Sequence, residues 1–437
     1  MKRESLATDT QRSNAALMAR RRAAMPRGLG QVHEVFVDRA LNAEVWDVEG
    51  RRYIDFAGGI GVLNTGHRHP QIVAAVKAQL DRVIHTCFGV LAYEPLVELA
   101  ERLNALAPGA APKKTFFMTT GAEAVENAIK LARAHTKRSG VISFGGGFHG
   151  RTLMTLSLTG KVAPYKAGFG PFPAEIFHAR FPNALFGVSI ADAMASIEHI
   201  FKNDIEAERV AAIIVEPVQG EGGFYVAPFE FLQTLRSVCD RHGILLIADE
   251  IQCGCGRTGT WFAIEHSGVV PDIITMAKSI AGGLPISAVI GRTDVMDAPN
   301  PGGLGGTYAG NPLAAVAALE VLKVFEKEQL LARACALGER LRTGLQKIAR
   351  KHRAVGDVRG LGAMVAMELF EDGKVDAPDS ELTKRLVSEA ARRGLILLPC
   401  GSNANIVRIL VPLTASEQIV DEGMRILEES FDAVVSG

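Results

Sequence analysis

Apolar residues along this chain fall into two textures. Between about residues 113 and 327, short unbroken apolar runs alternate with longer stretches whose apolar residues recur at helical spacing. The runs at 115–118, 141–144, 210–215, 243–250 and 271–277 are apolar on both faces, which predicts strands of a parallel sheet covered on each side. After the first run, Val125, Ala128, Ile129 and Ala132 share one face of a predicted helix that begins near Ala122. Pro312 opens a second, alanine-rich helix to about Glu326. Upstream, segments 34–38, 44–47 and 52–56, with a turn at 48–51, predict a small meander. Beyond residue 326 a helical segment to His352 and strands at 357–362, 364–369, 396–398 and 406–410 predict a separate α+β unit. Arg408 interrupts the last strand, so it either points outward or pairs with an acid.

The buried runs end in chemistry. Lys278 follows the 271–277 run and precedes Gly282-Gly283, a position where a lysine can lie in a cleft. A desolvated amine has a lowered pKa and attacks carbonyls, as a lysine does toward pyridoxal phosphate. Asp249 closes the 243–250 run, one strand–helix crossover earlier. A carboxylate facing a pyridine nitrogen keeps the ring protonated, and the protonated ring withdraws electrons. The Thr119-Thr120-Gly121 turn opens the predicted helix, whose N-terminus favours a phosphate. Phe148 follows a Gly-rich loop and can stack on a ring or pack in the core, and Arg151 just beyond can clamp a carboxylate. Glu216 and Glu221 lie in another Gly-rich loop, at the end of the 210–215 strand.

Composition narrows the class. The 437 residues suffice for two lobes, and 48% hydrophobic with 22% charged residues suits a globular enzyme. Zero formal charge gives no reason to expect a nucleic-acid or anionic-membrane partner. Six cysteines without framework spacing suit a reducing compartment, and Cys253-Gly254-Cys255 has no second Cys/His pair, so no metal is expected. There is no apolar run of the roughly 18 residues a membrane span needs. Neither is a signal-peptide pattern visible, so a cytoplasmic protein is expected.

Seven motifs, taken in order, carry a resemblance. They are Gly58-Gly59-Ile60 with Asn64-Thr65-Gly66-His67, Thr119-Thr120-Gly121-Ala122-Glu123-Ala124, Phe148-His149-Gly150-Arg151-Thr152, Glu216-Pro217-Val218-Gln219-Gly220-Glu221, Ala248-Asp249-Glu250-Ile251-Gln252, Ala277-Lys278-Ser279 and Gly305-Gly306-Thr307-Tyr308. From about residue 25 onward the chain resembles the class III (ω-amino-acid) aminotransferases of the type I pyridoxal-phosphate fold. The resemblance implies an α/β large domain with a mostly parallel seven-stranded sheet, over residues 66–325. It also implies a small α+β domain built from residues 1–65 and 326–437.

The implied cofactor is pyridoxal 5'-phosphate, carried by Lys278, with Asp249 as partner of the ring nitrogen. Gln252 is implied near the phenolic oxygen, Phe148 and Ile251 on the two ring faces, and His149 as a packing neighbour. Gly121 and Ala122 are implied to hold the phosphate, joined by Thr307 from a second copy in a homodimer or dimer of dimers. Many relatives carry Ser or Thr at Ala122, so one hydroxyl contact is missing. The implied substrate residues are Ile60, Arg151, Glu216, Glu221 and Arg408. Arg151 takes the distal carboxylate, Arg408 the α-carboxylate of glutamate, and Glu221 covers Arg408 when an ω-amine binds. Ile60 gives an apolar wall where ornithine-specific relatives carry a tyrosine. The implied donor is 4-aminobutyrate with 2-oxoglutarate as acceptor; 5-aminovalerate or an acetylornithine-type donor is the alternative.

Overall fold

The computed structural model describes residues 12–436. Its central sheet has seven strands: β1 (Lys113–Met118), β2 (Gly140–Phe144), β3 (Ile176–Ala179), β4 (Val210–Val215), β5 (Leu245–Asp249), β6 (Ile273–Met276) and β7 (Ser287–Arg292). Their spatial order is β1-β7-β6-β5-β4-β2-β3. Only β7 runs antiparallel to its neighbours. Strands β2, β4, β5 and β6 are buried along their whole length, which is why they read as unbroken apolar runs.

Two strands escaped the hydrophobic pattern. β3 sits at the sheet edge with most of its residues partly exposed, so it needs no continuous apolar run. β7 is buried, but Ser287 and Gly291 confine its apolar run to Ala288–Ile290.

Each face of the sheet has its own core. Helix α1 (Gly121–Thr136) lays Val125, Ala128, Ile129 and Ala132 against Val141, Ala212, Ile214 and Ile247. The alternate sheet residues Ile213, Val215, Leu246 and Ala248 belong to the opposite core, with Phe231 and Leu235 of α2 (Phe229–His242). That division follows from the two-residue period of a strand. Helix α3 (Pro312–Lys327) begins where its proline predicts, capped by Asn311 Oδ1 accepting the Leu313 N–H at 2.9 Å. Helix α4 (Leu330–Lys351) follows directly.

An antiparallel sheet comes after α4: β8 (Val355–Leu361), β9 (Met364–Leu369), β10 (Leu398–Cys400) and β11 (Ile406–Ile409), in the order β8-β9-β11-β10. A fourth-strand addition links the chain's two ends. Leu395–Ile396 pairs in parallel with Arg52–Asp55 of the early meander. The meander's first strand lies at Val37–Leu41, later than expected at 34–38. The turn decides this: Leu41 pairs with Glu44 across Asn42-Ala43, and Asn42 supplies the positive φ of 50°. Phe36 instead gives its N–H to Asn14 Oδ1.

Candidate active site

The site forms where the parallel strands end, the usual place for ligands in such sheets. Past β1, Thr120 and Glu123 make a reciprocal cap. Thr120 Oγ1 accepts the Glu123 N–H at 3.3 Å, while Glu123 Oε2 accepts the N–H groups of Thr119 (3.1 Å) and Thr120 (2.8 Å). The N–H groups of Gly121 and Ala122 stay free among the described residues and face a cavity of about 630 Å³. A Cβ at Gly121 would stand 3.0 Å from Ile251 Cδ1. The helix start and the segment after β5 therefore approach closely, and a side chain at 121 would require the Ile251 tip to shift.

Asp249, the last residue of β5, is buried and held on every side. Its Oδ2 meets His149 Nδ1 at 2.7 Å, and its Oδ1 accepts the Thr275 hydroxyl at 3.0 Å and the Ile251 N–H at 3.2 Å. Burial alone would lower the His149 pKa, but the hydrogen bond and charge of Asp249 outweigh it and raise the imidazole above its ordinary value. His149 is thus the carboxylate's bonded partner, more than the packing neighbour expected from sequence.

Lys278 follows β6 at the cavity wall. Its φ of 49° is left-handed, a strain of about 1–2 kcal/mol for a residue with a side chain. Such strain gathers at functional sites. Burial lowers the amine's pKa, with Glu221 pulling the other way. A neutral amine is what a nucleophile or base requires.

Glu216 also lines the cavity, yet its oxygens are taken by backbone. Oε2 accepts the Phe148 N–H at 2.9 Å and Oε1 the Gly220 N–H at 3.1 Å. Burial pushes its carboxyl up to about 7. What it visibly does is tie the Phe148 loop to the Glu221 loop.

Arg408, on β11, is 4% exposed and meets Glu221 through both arms of its fork. Nη1 donates to Oε1 at 2.5 Å and Nη2 to Oε2 at 3.1 Å. Burial would raise the Glu221 pKa, but Arg408 overrides it and holds the carboxyl below its usual range. Gln252 Nε2 donates to Glu221 Oε1 at a long 3.4 Å, joining the pair to the cavity wall.

The structure thus collects Gly121, Ala122, Phe148, His149, Arg151, Glu216, Asp249, Ile251, Gln252 and Lys278 around one cavity, with Glu221 and Arg408 at its edge. Two expected residues lie apart. Thr307 is exposed in a loop outside this chain's cavity. Ile60 is 44% exposed with φ 63°, and its neighbour Val62 lines the wall instead. Tyr165 and Lys161 went unread in the sequence. The Arg151 guanidinium sits 4.7 Å from the Tyr165 ring centre, and that ring lies 5.1 Å from Phe148. Lys161 donates to the Gly401 carbonyl at 2.8 Å. Their segment has no apolar period to mark it; an aromatic ten to fifteen residues past Arg151 was the only available signal.

This donor set fits pyridoxal 5'-phosphate. Two free N–H groups at a helix start suit a phosphate, a buried carboxylate suits a pyridinium, and a desolvated lysine suits an aldehyde. The Cβ-free approach at Gly121 keeps the space between them open. Among the described residues no cluster of metal-ligating side chains occurs, and no helix is long and apolar enough to cross a membrane.

Comparison with known proteins agrees with this chemistry. The family model "Aminotransferase class-III" matches residues 24–431. The chain is 61% identical to the 4-aminobutyrate aminotransferase GabT of Escherichia coli (strain K12), over 96% of this chain and 99% of that protein. It is 59% identical to the 5-aminovalerate aminotransferase DavT of Pseudomonas aeruginosa, over 96% and 99%. A Bacillus anthracis aminotransferase structure superposes with a TM-score of 0.90 at 28% identity, covering 98% of this chain and all of that one. The chain belongs to the class-III aminotransferases, enzymes of the type I fold that depend on pyridoxal 5'-phosphate.

Proposed function

We propose that this enzyme takes the amino group of 4-aminobutyrate and passes it to 2-oxoglutarate, yielding succinate semialdehyde and glutamate in two half-reactions at one site. The observation that carries this reading is the ion pair of part-buried Glu221 with buried Arg408, beside Lys278. 4-Aminobutyrate has one carboxylate, far from its amine, whereas glutamate has a second beside the reacting carbon. A site serving both needs a positive group that can be masked.

In the proposed roles, Arg151 binds the distal carboxylate of either substrate, and its guanidinium rests on Tyr165. Glu221 neutralises Arg408 while the ω-amine is bound. It yields Arg408 to the α-carboxylate in the other half-reaction, so the arginine is never buried unpaired. When bound, pyridoxal 5'-phosphate supplies the carbonyl that receives the amine and the ring that accepts electrons from the reacting carbon. Lys278 would hold the cofactor and, in each half-reaction, carry a proton between the amine-bearing carbon and the cofactor's aldehyde carbon. Asp249 keeps a negative charge for the ring nitrogen, with His149 and Thr275 fixing its carboxylate. Phe148 and Ile251 enclose the ring, and Gln252 serves the phenolic oxygen. Gly121 and Ala122 bind the phosphate together with Thr307 of a second copy, so the working unit is a homodimer or a dimer of dimers. The division into a large domain of residues 66–325 and a small one built from 1–65 and 326–437 fits the pairing of Leu395–Ile396 with Arg52–Asp55. All six cysteines are free, which supports a cytoplasmic setting.

A panel of amine donors assayed against 2-oxoglutarate tests the reading. 4-Aminobutyrate is expected to lead. A lead by ornithine or acetylornithine would reject it. 5-Aminovalerate is the second reading, favoured by the near-equal identity to DavT. The two donors differ by one methylene, which a pocket separates by only about 10–200-fold.

A further inference from the structure

Two arginines leave one face of the β8-β9-β11 sheet. The register sets Arg359 of β8 opposite Ala366 of β9, and Ala366 opposite Arg408 of β11, so all three side chains point the same way. Both arginines reach the loop that carries Glu221. Arg408 takes the Glu221 side chain, while Arg359 takes main chain, its Nε donating to the Gly223 carbonyl at 2.8 Å.

Arg359 is itself firmly seated. Its Nη1 meets Asp357 at 2.6 Å and Glu368 at 2.8 Å, and its guanidinium lies 3.9 Å from the Tyr225 ring centre. Tyr225 donates its hydroxyl to Glu368 at 2.7 Å, and Asn405 donates to the other oxygen at 3.2 Å. Glu368 is 1% exposed. The loop has no room to drift. Gly223 has φ +132°, and a Cβ there would lie 2.5 Å from Ile406 Cδ1 and 2.9 Å from Tyr225 Cε2. Across the loop, Gly401 donates its N–H to the Glu221 carbonyl at 3.0 Å. The backbone around Glu221 is therefore pinned at two points, and its carboxylate alone is left to move.

We propose that Arg359 is a positioning residue for donor choice: by gripping the Gly223 carbonyl it aims Glu221 at Arg408 and sets how readily that acid gives way to a substrate α-carboxylate. This rests on the proposed exchange of Glu221 for that carboxylate. A slack loop weakens the Glu221–Arg408 contact, so Arg408 is freed more easily for glutamate and masked less well for 4-aminobutyrate.

The test uses the holoenzyme with 4-aminobutyrate and L-glutamate as donors. Arg359→Met is made together with Glu368→Gln, so that no buried carboxylate loses its partner. Arg359→Lys is the second variant; it keeps the charge beside Glu368 but not the fork that also reaches Gly223. In both, kcat/KM for 4-aminobutyrate is expected to fall about tenfold, the effect of one lost hydrogen bond. The KM for glutamate is expected to fall with kcat unchanged. In a Glu221→Ala background the same substitutions should leave the donor ratio where Glu221→Ala put it. Equal changes for both donors, or a ratio shift that persists without Glu221, overturn the proposal. If Glu221→Ala shifts the ratio and the Arg359 variants do not, the proposal alone fails. If Glu221→Ala leaves the ratio unchanged, the exchange reading falls and takes the proposal with it.

Discussion

Asp249 with His149 and Glu221 with Arg408 each pair a carboxylate with a nitrogen group, Asp249 fully buried and Glu221 part-buried, yet they are held in opposite ways. Asp249 ends a strand flanked by strands on both sides, and three donors occupy its two oxygens. Glu221 sits in a four-residue turn, Gly220–Gly223, and its carboxylate meets one arginine and one long amide contact. The first pair has no freedom to leave, which suits a charge needed in every step. The second is anchored through its backbone and loose at its tip, which suits a charge needed for one substrate and not the other. Rigidity therefore follows the work: constant chemistry is built into the sheet, and selection is placed in a loop.

The largest expected effect removes Lys278, whose amine feels the charge of both carboxylates. Lys278→Ala should still retain the cofactor through its other contacts while turnover falls by more than about 10⁴-fold, since nucleophile and proton carrier vanish together. Borohydride reduction of the wild type followed by peptide mapping should label Lys278, and a label elsewhere would refute the assignment.

The comparison itself is broken or upheld by three carboxylate and arginine variants. Asp249→Asn should slow both half-reactions alike, by about 10²–10³-fold, as a lost preorganised charge does. Arg408→Ala should be lopsided, lowering glutamate specificity by about 10- to 150-fold, the worth of a charge-assisted contact. Glu221→Ala should be lopsided the other way and harm the ω-amine half-reaction. Single-turnover rates with each donor decide the matter. Equal losses in all three variants would erase the distinction.

Acidity sharpens the contrast, because the two pairs titrate with opposite sign. His149 is raised above its ordinary 6.5. Its contribution to stability is complete below that pH and is lost as pH rises through the higher folded value. Glu221 is lowered from 4.5. Its contribution is complete above that pH and is lost as pH falls through the lower folded value. The Tm difference between wild type and His149→Phe should therefore shrink on the alkaline side. The difference between wild type and Glu221→Gln should shrink on the acid side. Parallel curves would show that the two pairs are not differently held.

The smallest effect lies outside both pairs. Ala122→Ser should add one hydroxyl at the helix start and tighten cofactor binding by about 1 kcal/mol, measured as a dissociation constant. The donor ratio should not change.

Much of this was legible along the chain. The 210–215 run became a strand with those bounds, Pro312 opened its helix, Asp249 ended its strand, and Lys278 came two residues after the end of the next. Burial on both faces demands a local run of apolar residues, so a chain must spell such strands out. Edge strand β3 met no such demand, and β7, though buried, has only the short apolar stretch Ala288–Ile290 between Ser287 and Gly291. What only the tertiary structure decided was pairing. His149 finds Asp249 across 100 residues and Arg359 reaches the Gly223 carbonyl across 136. The Glu221–Arg408 pair, 187 residues apart, was implied by the resemblance and by no pattern in the residues themselves. Hydrophobic periodicity is a property of neighbours in sequence. A hydrogen bond between distant side chains imposes no period on either segment, so it comes into view only once the sheets have brought the segments together.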